Sequence, residues 1–197
     1  NAALDFVWSH PFRDMTVSSL MASTGVSRSA FYQYFGDLHE VMETLLTMLQ
    51  EEIFVAVEPW LAGVGDPVVL IRETLAGLVD ISHQRGPFLR AITDAASTDP
   101  RLEKAWLQFL AGFDDAATAR IEADQKQGLI PAFEVRPVAS ALNRLNTYTL
   151  LQAFGQRPRQ QPDPVRVALT RIWISTLYGA EWLEEKASDL VRKRDES

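Results

Sequence analysis

No cysteine occurs anywhere in the chain, which excludes a disulfide framework, a thiolate metal site and a cysteine nucleophile together. Histidine is scarce. His10, His39 and His83 are the complete set, and Asp80 stands three residues before His83. A single Asp-x-x-His pair reads as a surface hydrogen bond, and no Glu-x-x-His repeat accompanies it, so no metal and no cofactor is expected. Neither a glycine-rich phosphate loop nor a Gly-x-Ser-x-Gly elbow is present. Glu51-Glu52 and Asp114-Asp115 are adjacent pairs, which spread over neighbouring helix faces rather than converge on a substrate; both are expected on solvated surface. These absences together argue against an enzyme.

Long apolar runs are also missing. No stretch approaches the roughly 18 residues needed to span a bilayer, and nothing has the layout of a cleavable export signal, so the chain reads as cytoplasmic with no membrane partner. It opens on Asn1 rather than Met, so a leading segment is expected before it. Positive charge is in short supply: 19 Lys and Arg stand against 26 Asp and Glu, a formal net charge of −7. A surface that clings to phosphate throughout is thereby excluded, but a small DNA-reading patch is not.

What is present fits a folded protein. Hydrophobic residues make up 47% and charged residues 23% of 197 positions, which rules out a wholly disordered chain and leaves room for one large domain or a small domain joined to a larger one. Breakers at Pro59, Gly63 to Pro67, Gly86-Pro87, Asp99-Pro100, Gly128 to Pro131 and Pro158 to Pro164 separate stretches of helical length. In Asp66-Pro67, Asp99-Pro100 and Asp163-Pro164 the aspartate can cap orphan N–H groups and the proline suits the first helical position, so each predicts a helix start. Leu102, Trp106, Phe109, Leu110, Phe113, Ala116, Ala117 and Ile121 repeat with a 3.6-residue period, as do Val165, Leu169, Ile172, Trp173, Thr176, Leu177 and Ala180. No stretch alternates with period two between hairpin turns. The expected fold is all-α: short helices over 1–35, then helices near 37–57, 67–84, 87–96, 100–127, 137–154 and 164–187, with the mixed-charge last dozen residues fraying.

Residues 16–35 carry the most specific signal. Thr16 can cap a short helix with Val17, Leu20 and Met21 facing inward; Gly25 can take the left-handed turn; Val26 can pack into the interhelical angle; Ser27 can cap a second helix. This is the grammar of a helix-turn-helix. Ala30, Phe31 and Tyr34 or Phe35 are spaced to pack inward, which leaves Arg28, Ser29, Tyr32 and Gln33 on the other face. Residues at the start of such a helix reach base edges in the major groove, where Arg suits guanine and Gln suits adenine.

The run GVSRSAFYQYF (25–35) resembles the signature of the TetR family of bacterial transcriptional regulators, with Gly25, Val26, Ser27, Phe31, Tyr32, Tyr34 and Phe35 matching. The resemblance implies an N-terminal helix-turn-helix DNA-binding domain over 1–45 and a helical ligand-binding and dimerisation domain over 46–190. It implies phosphate contacts from Thr16 and Tyr34, with Ser27 at the helix start, and places Arg28, Ser29, Tyr32 and Gln33 nearest the groove. The family's usual Lys after the signature is Leu38 here. Asp37 and Glu40 supply a capping box instead. Over residues 1–45, Arg13 and Arg28 face Asp5, Asp14, Asp37, Glu40 and Glu43.

Residues 141–154 and 171–179 are further similar to the C-terminal region of EthR-like members of the family. On one helix face Asn143, Asn146, Thr147 and Leu150 form a stripe. By spacing alone these residues and the aromatics around them fit a packed core whose amides bond neighbouring helices. The resemblance implies instead a tunnel lined by Trp106, Phe109, Phe113, Asn143, Asn146, Thr147, Leu150 and Trp173, with Ile71, Leu75, Leu78 and Phe88 as further candidates. A site of that kind suits a hydrophobic small-molecule effector with one polar handle. Family members form homodimers through the last two helices; Ala139, Leu142, Tyr148, Ala168, Leu169, Ile172, Thr176 and Leu177 are candidates for that contact, and the operator is expected to be near-palindromic double-stranded DNA. The function so implied is a ligand-responsive transcriptional regulator, a repressor released by its effector. The rival is a helical carrier or sensor for lipids or acyl groups that has lost DNA binding, suggested by the acidic head and Leu38.

Overall fold

The computed structural model describes residues 2–179. Over that span the chain forms eight α-helices, α1 (Ala2–Val7), α2 (Val17–Thr24), α3 (Arg28–Tyr34), α4 (Leu38–Ala62), α5 (Pro67–Ala96), α6 (Pro100–Lys126), α7 (Val135–Phe154) and α8 (Pro162–Leu177), with a 3-10 turn at Phe12–Asp14 between α1 and α2. No strand occurs among the described residues. The expected helical continuation to residue 187, the fraying tail and the domain's far bound at 190 lie outside them.

Local chemistry sets most of the helix starts. Asp66 accepts from the N–H groups of Val68 and Val69, and Asp99 from those of Arg101 and Leu102, each followed by proline at the first helical position. The third Asp-Pro pair does not act this way. Helix α8 begins at Pro162 after Gln161, so Asp163 lies inside the first turn, where it meets the positive end of the helix dipole and pairs with Arg166.

Gly86-Pro87 does not end a helix either: α5 runs unbroken through it. A proline inside a helix removes the bond to the carbonyl four residues earlier, here His83. That carbonyl accepts instead from Arg159 Nη1 at 2.5 Å, so the orphan is satisfied from the α7–α8 loop. Gly86 has its own reason. A Cβ there would lie 2.2 Å from the Phe154 carbonyl oxygen, so only glycine lets the backbones of α5 and α7 cross this closely. Pro59 likewise sits inside α4, and the carbonyl it orphans belongs to Val55, which is exposed and can be hydrated.

Two apolar clusters hold the helices together. One joins α1, α2 and α3 to the first half of α4 and to Phe88, Ile92, Leu102 and Phe109 of α5 and α6. The other packs Trp60 and the first half of α5 against α6, α7 and α8. Helix α5 touches α4, α6, α7 and α8 and is the axis of the body. Of the predicted periodic positions, Leu102, Ile121, Leu169 and Leu177 are fully buried, whereas Ile172 and Thr176 of α8 are exposed. No helix among the described residues is long and apolar enough to cross a membrane.

Candidate nucleic-acid interface and internal cavity

The head is organised by its caps. Thr16 accepts from Ser19 N–H at 3.0 Å while the Ser19 hydroxyl accepts from Thr16 N–H at 3.0 Å, a reciprocal box that starts α2. Gly25 closes α2 at φ 70°, the left-handed region where glycine has no Cβ penalty. Ser27 then accepts from Ala30 N–H at 3.1 Å and starts α3. Phe31 is buried and packs on Phe35 with ring centroids 5.7 Å apart. Val26, expected in the interhelical angle, is exposed instead; Leu20 and Phe31 are the buried residues of α2 and α3.

The face opposite Phe31 is open. Arg28, Ser29, Tyr32 and Gln33 are all exposed, and Tyr34 stands out at 77% exposure. Of the residues assigned to DNA contact, Thr16 and Ser27 already spend their hydroxyls on caps, although both remain exposed.

The acidic count of the head overstates its charge. Arg101, from the first turn of α6, binds Glu43 with two nitrogens at 2.9 and 2.7 Å and Asp37 at 2.8 Å. His39 Nε2 lies 2.5 Å from Asp99 Oδ2. The start of α4 is thus tied to the start of α6, just behind the exposed helix. Asp37 is held below the ordinary carboxylate range chiefly by the Glu40 N–H and then by Arg101; Asp99 is lowered chiefly by the Leu102 N–H and then by His39. The expected Asp37–Glu40 box forms in altered register: Asp37 accepts from Glu40 N–H, but Glu40 Oε2 accepts from Gly36 N–H rather than from Asp37. Sequence reasoning missed Arg101, whose partners are about 60 residues away.

Inside the body lies an apolar cavity of about 90 Å³, far above the roughly 10–15 Å³ that one water needs. Trp106, Phe109, Phe113, Asn143, Asn146, Thr147, Leu150 and Trp173 all line it, together with Ile71, Leu75 and Leu78. Phe88 does not; it is buried in the cluster beneath the head. Trp60, Ile53 and Val57 of α4 and Thr74 and Ser82 of α5 also contribute. They escaped sequence reading because no polar pattern distinguishes them from ordinary core. None of the lining side chains is charged.

The two asparagines have protein partners. Asn146 Oδ1 accepts from Trp173 Nε1 at 2.9 Å, and Asn143 Nδ2 donates to Asp114 Oδ1 at 3.0 Å. Among the described residues the Asn146 amide nitrogen and the Asn143 side-chain oxygen have no further partner. Asp114 corrects an expectation: it is buried, not solvated, and also binds Ser140 and Arg144. One residue on, Asp115 turns about 100° around the helix to solvent and pairs with Arg136. At the cavity floor Trp60 and Trp173 meet edge to face at 5.5 Å. Beyond them Tyr178 donates to the fully buried Asp124 at 2.6 Å, and Asp124 pairs with Arg120. Burial, then the Asp124 carboxylate, pushes the Tyr178 phenol well above its usual value.

Other expectations are revised. Asp80 binds Arg166 rather than His83, and His83 stacks edge-on against Phe154. No group of three or more metal-type ligands occurs among the described residues. Of the candidates for the dimer contact, Ala139, Leu142, Leu169 and Leu177 are buried within the protomer, because their helix faces turn toward α5 and α6; Tyr148, Ala168, Ile172 and Thr176 are exposed, with Val167 beside them.

The architecture recurs in solved structures. A TetR-family transcriptional regulator from Syntrophomonas wolfei superimposes with a TM-score of 0.77 at 16% identity, covering 89% of this chain and 90% of the other. The TetR-family regulator PfmR from Thermus thermophilus gives 0.70 at 16% identity over 87% and 94%. The fold is therefore that of the TetR-type transcriptional regulators. In sequence, the HTH-type transcriptional regulator EthR of Mycolicibacterium smegmatis is 26% identical over 171 residues, 85% of this chain and 79% of that protein. EthR of Mycobacterium tuberculosis is 26% identical over 173 residues, covering 86% and 80%. Residues 71–179 match the family defined by the C-terminal domain of the transcriptional regulator EthR. The chain belongs to that family and is an EthR-like transcriptional regulator of the TetR type.

Proposed function

We propose that this regulator is a repressor that binds its operator through α3 and is released by an uncharged, mostly apolar small molecule held in the internal cavity. The observation that carries the reading is the pairing of an exposed, serine-capped helix with an apolar cavity whose wall, α6, also grips the start of α4 through Arg101. In this reading residues 1–45 form the DNA-binding domain and the remainder the effector and dimer domain. Arg28, Ser29, Tyr32 and Gln33 read the groove, while Thr16, Ser27 and Tyr34 meet phosphates. Asn146 and Asn143 offer a donor and an acceptor to the polar handle of the effector. The exposed face of Tyr148, Val167, Ala168, Ile172 and Thr176 supports a homodimer, which would present two α3 helices to a near-palindromic site. An effector releases DNA only by binding a different conformation more tightly than the DNA-competent one.

The test is a gel shift with the full chain and its own upstream intergenic DNA at low and high salt. A specific shift, lost in Arg28→Ala/Tyr32→Ala protein that retains its thermal transition, is expected. Retained operator affinity in that variant overturns the assignment of the reading face. No specific shift, with an apolar molecule co-purifying, favours the carrier reading. Asn146→Leu should bind DNA but respond less to effector; an unchanged response removes the cavity from the scheme.

A further inference from the structure

We infer that the groove between the head and the body is a second binding site, for the carboxylate or phosphate group of a small organic anion. This groove, of about 270 Å³, shares no lining residue with the apolar cavity. Its walls come from the end of α1, from α5 and from the α7–α8 loop, and include Trp8, His10, Pro87, Arg90, Arg157 and Arg159.

The electrostatics of the groove are unbalanced. Arg157 and Arg159 bring their guanidinium carbons to 5.4 and 4.8 Å from the centroid of the Trp8 ring, so one indole serves two like charges. A ring quadrupole attracts each cation but leaves both charges in place. Asp94 is the one carboxylate lining the groove, and Arg90 Nε already holds it at 2.8 Å. Arg159 gives Nη1 to a neutral acceptor, the His83 carbonyl. Arg157 makes no hydrogen bond or ion pair among the described residues. Three arginines thus face one aspartate in a chain whose net charge is −7. Guanidinium forks match carboxylate and phosphate oxygens, and the half-buried Trp8 with Pro87 offers a flat apolar floor for an attached ring or chain.

An anion seated here would bridge α1 of the head to α5 and the α7–α8 loop. It would therefore favour the head position seen in this structure, independently of what the inner cavity holds.

Titration calorimetry and tryptophan fluorescence on the full chain without DNA test the site, using benzoate, inorganic phosphate and the neutral isostere benzamide at matched ionic strength. Benzoate is expected to bind and to change the emission, phosphate to bind more weakly and compete with it, and benzamide to give no heat. Arg157→Ala, which costs no hydrogen bond or ion pair within the protein and only the contact with the Trp8 ring, should weaken benzoate about tenfold, the factor that corresponds to ~1.4 kcal/mol. Arg159→Lys, which keeps a donor near the His83 carbonyl but loses the fork, should weaken it too. Trp8→Phe should abolish the emission change, and an emission change that survives it would place benzoate outside the groove and overturn the proposal. Equal binding of benzamide, benzoate affinity unchanged by both arginine variants, or no benzoate heat would each overturn the proposal. Phosphate binding without benzoate binding would reduce it to an inorganic oxyanion site and overturn the organic assignment. None of these readouts involves the operator, so they stand or fall apart from the repressor reading.

Discussion

Replacing Gly86 with alanine tests whether the α5–α7 crossing depends on the missing Cβ. An added Cβ would meet the Phe154 carbonyl oxygen at 2.2 Å, its carbonyl carbon at 2.5 Å and its Cβ at 2.9 Å. Two of those atoms are backbone, so no rotamer change relieves the contact and the helices must part. Overpacking of this kind costs about 1–3 kcal/mol, and a backbone collision belongs at the upper end. Alanine in place of glycine inside a helix returns about 1 kcal/mol of propensity. The net expectation is about 2 kcal/mol of destabilisation, or a fall of about 4–8 °C in Tm for a chain of this size. Differential scanning calorimetry at one fixed protein concentration measures it, because association makes Tm concentration-dependent. Gly112→Ala is the control: its Cβ would meet only the Gln50 amide end at 2.7 Å, a flexible group that can swing aside. That variant should match or exceed the parent. A Gly86→Ala protein as stable as the parent would refute the argument, since the propensity gain would then have gone unopposed.

Further expectations concern polar groups. Asp99→Ala should lose about 1 kcal/mol at pH 7, as expected for a lost N-cap. Because the folded pKa of Asp99 lies below its ordinary value of 3.8, the parent holds this stability above that pH and loses it as pH falls through the lower folded value. The gap between the two proteins in acid-titrated thermal melts should therefore close below about pH 4, and a gap constant down to pH 2 would contradict it. Tyr178→Phe leaves the Asp124 carboxylate, fully buried, with one partner fewer; a loss of about 1–3 kcal/mol in urea unfolding is expected, and no loss would mean that Arg120 alone satisfies the carboxylate.

Local signals were legible at the head because they are chemical and close in sequence. Thr16, Gly25 and Ser27 act within three or four residues of their partners, and the Arg28, Ser29, Tyr32 and Gln33 face follows once Phe31 is assigned inward. The cavity-lining positions of α6 and α7 were legible for a different reason, through likeness to a known family rather than through their spacing, which fitted a solid core equally well. Val26 went astray because a turn residue's exposure depends on which neighbour fills the angle. The break expected at Gly86-Pro87 failed because its remedy, Arg159, lies 76 residues from His83, whose carbonyl the proline orphans.

The amino-acid sequence by itself determined the all-α class, the caps and turn of the helix-turn-helix and the apolar stripe of each long helix, since capping and periodicity operate over a single turn of chain. Tertiary structure alone decided that α5 stays continuous, that Asp114 is buried while Asp115 is not, that Arg101 neutralises two acids of the head, and that Arg157 and Arg159 share the ring of Trp8. Each of these depends on which distant side chain arrives at a given carbonyl, carboxylate or ring, and that is set by how the helices cross rather than by any pattern along one of them.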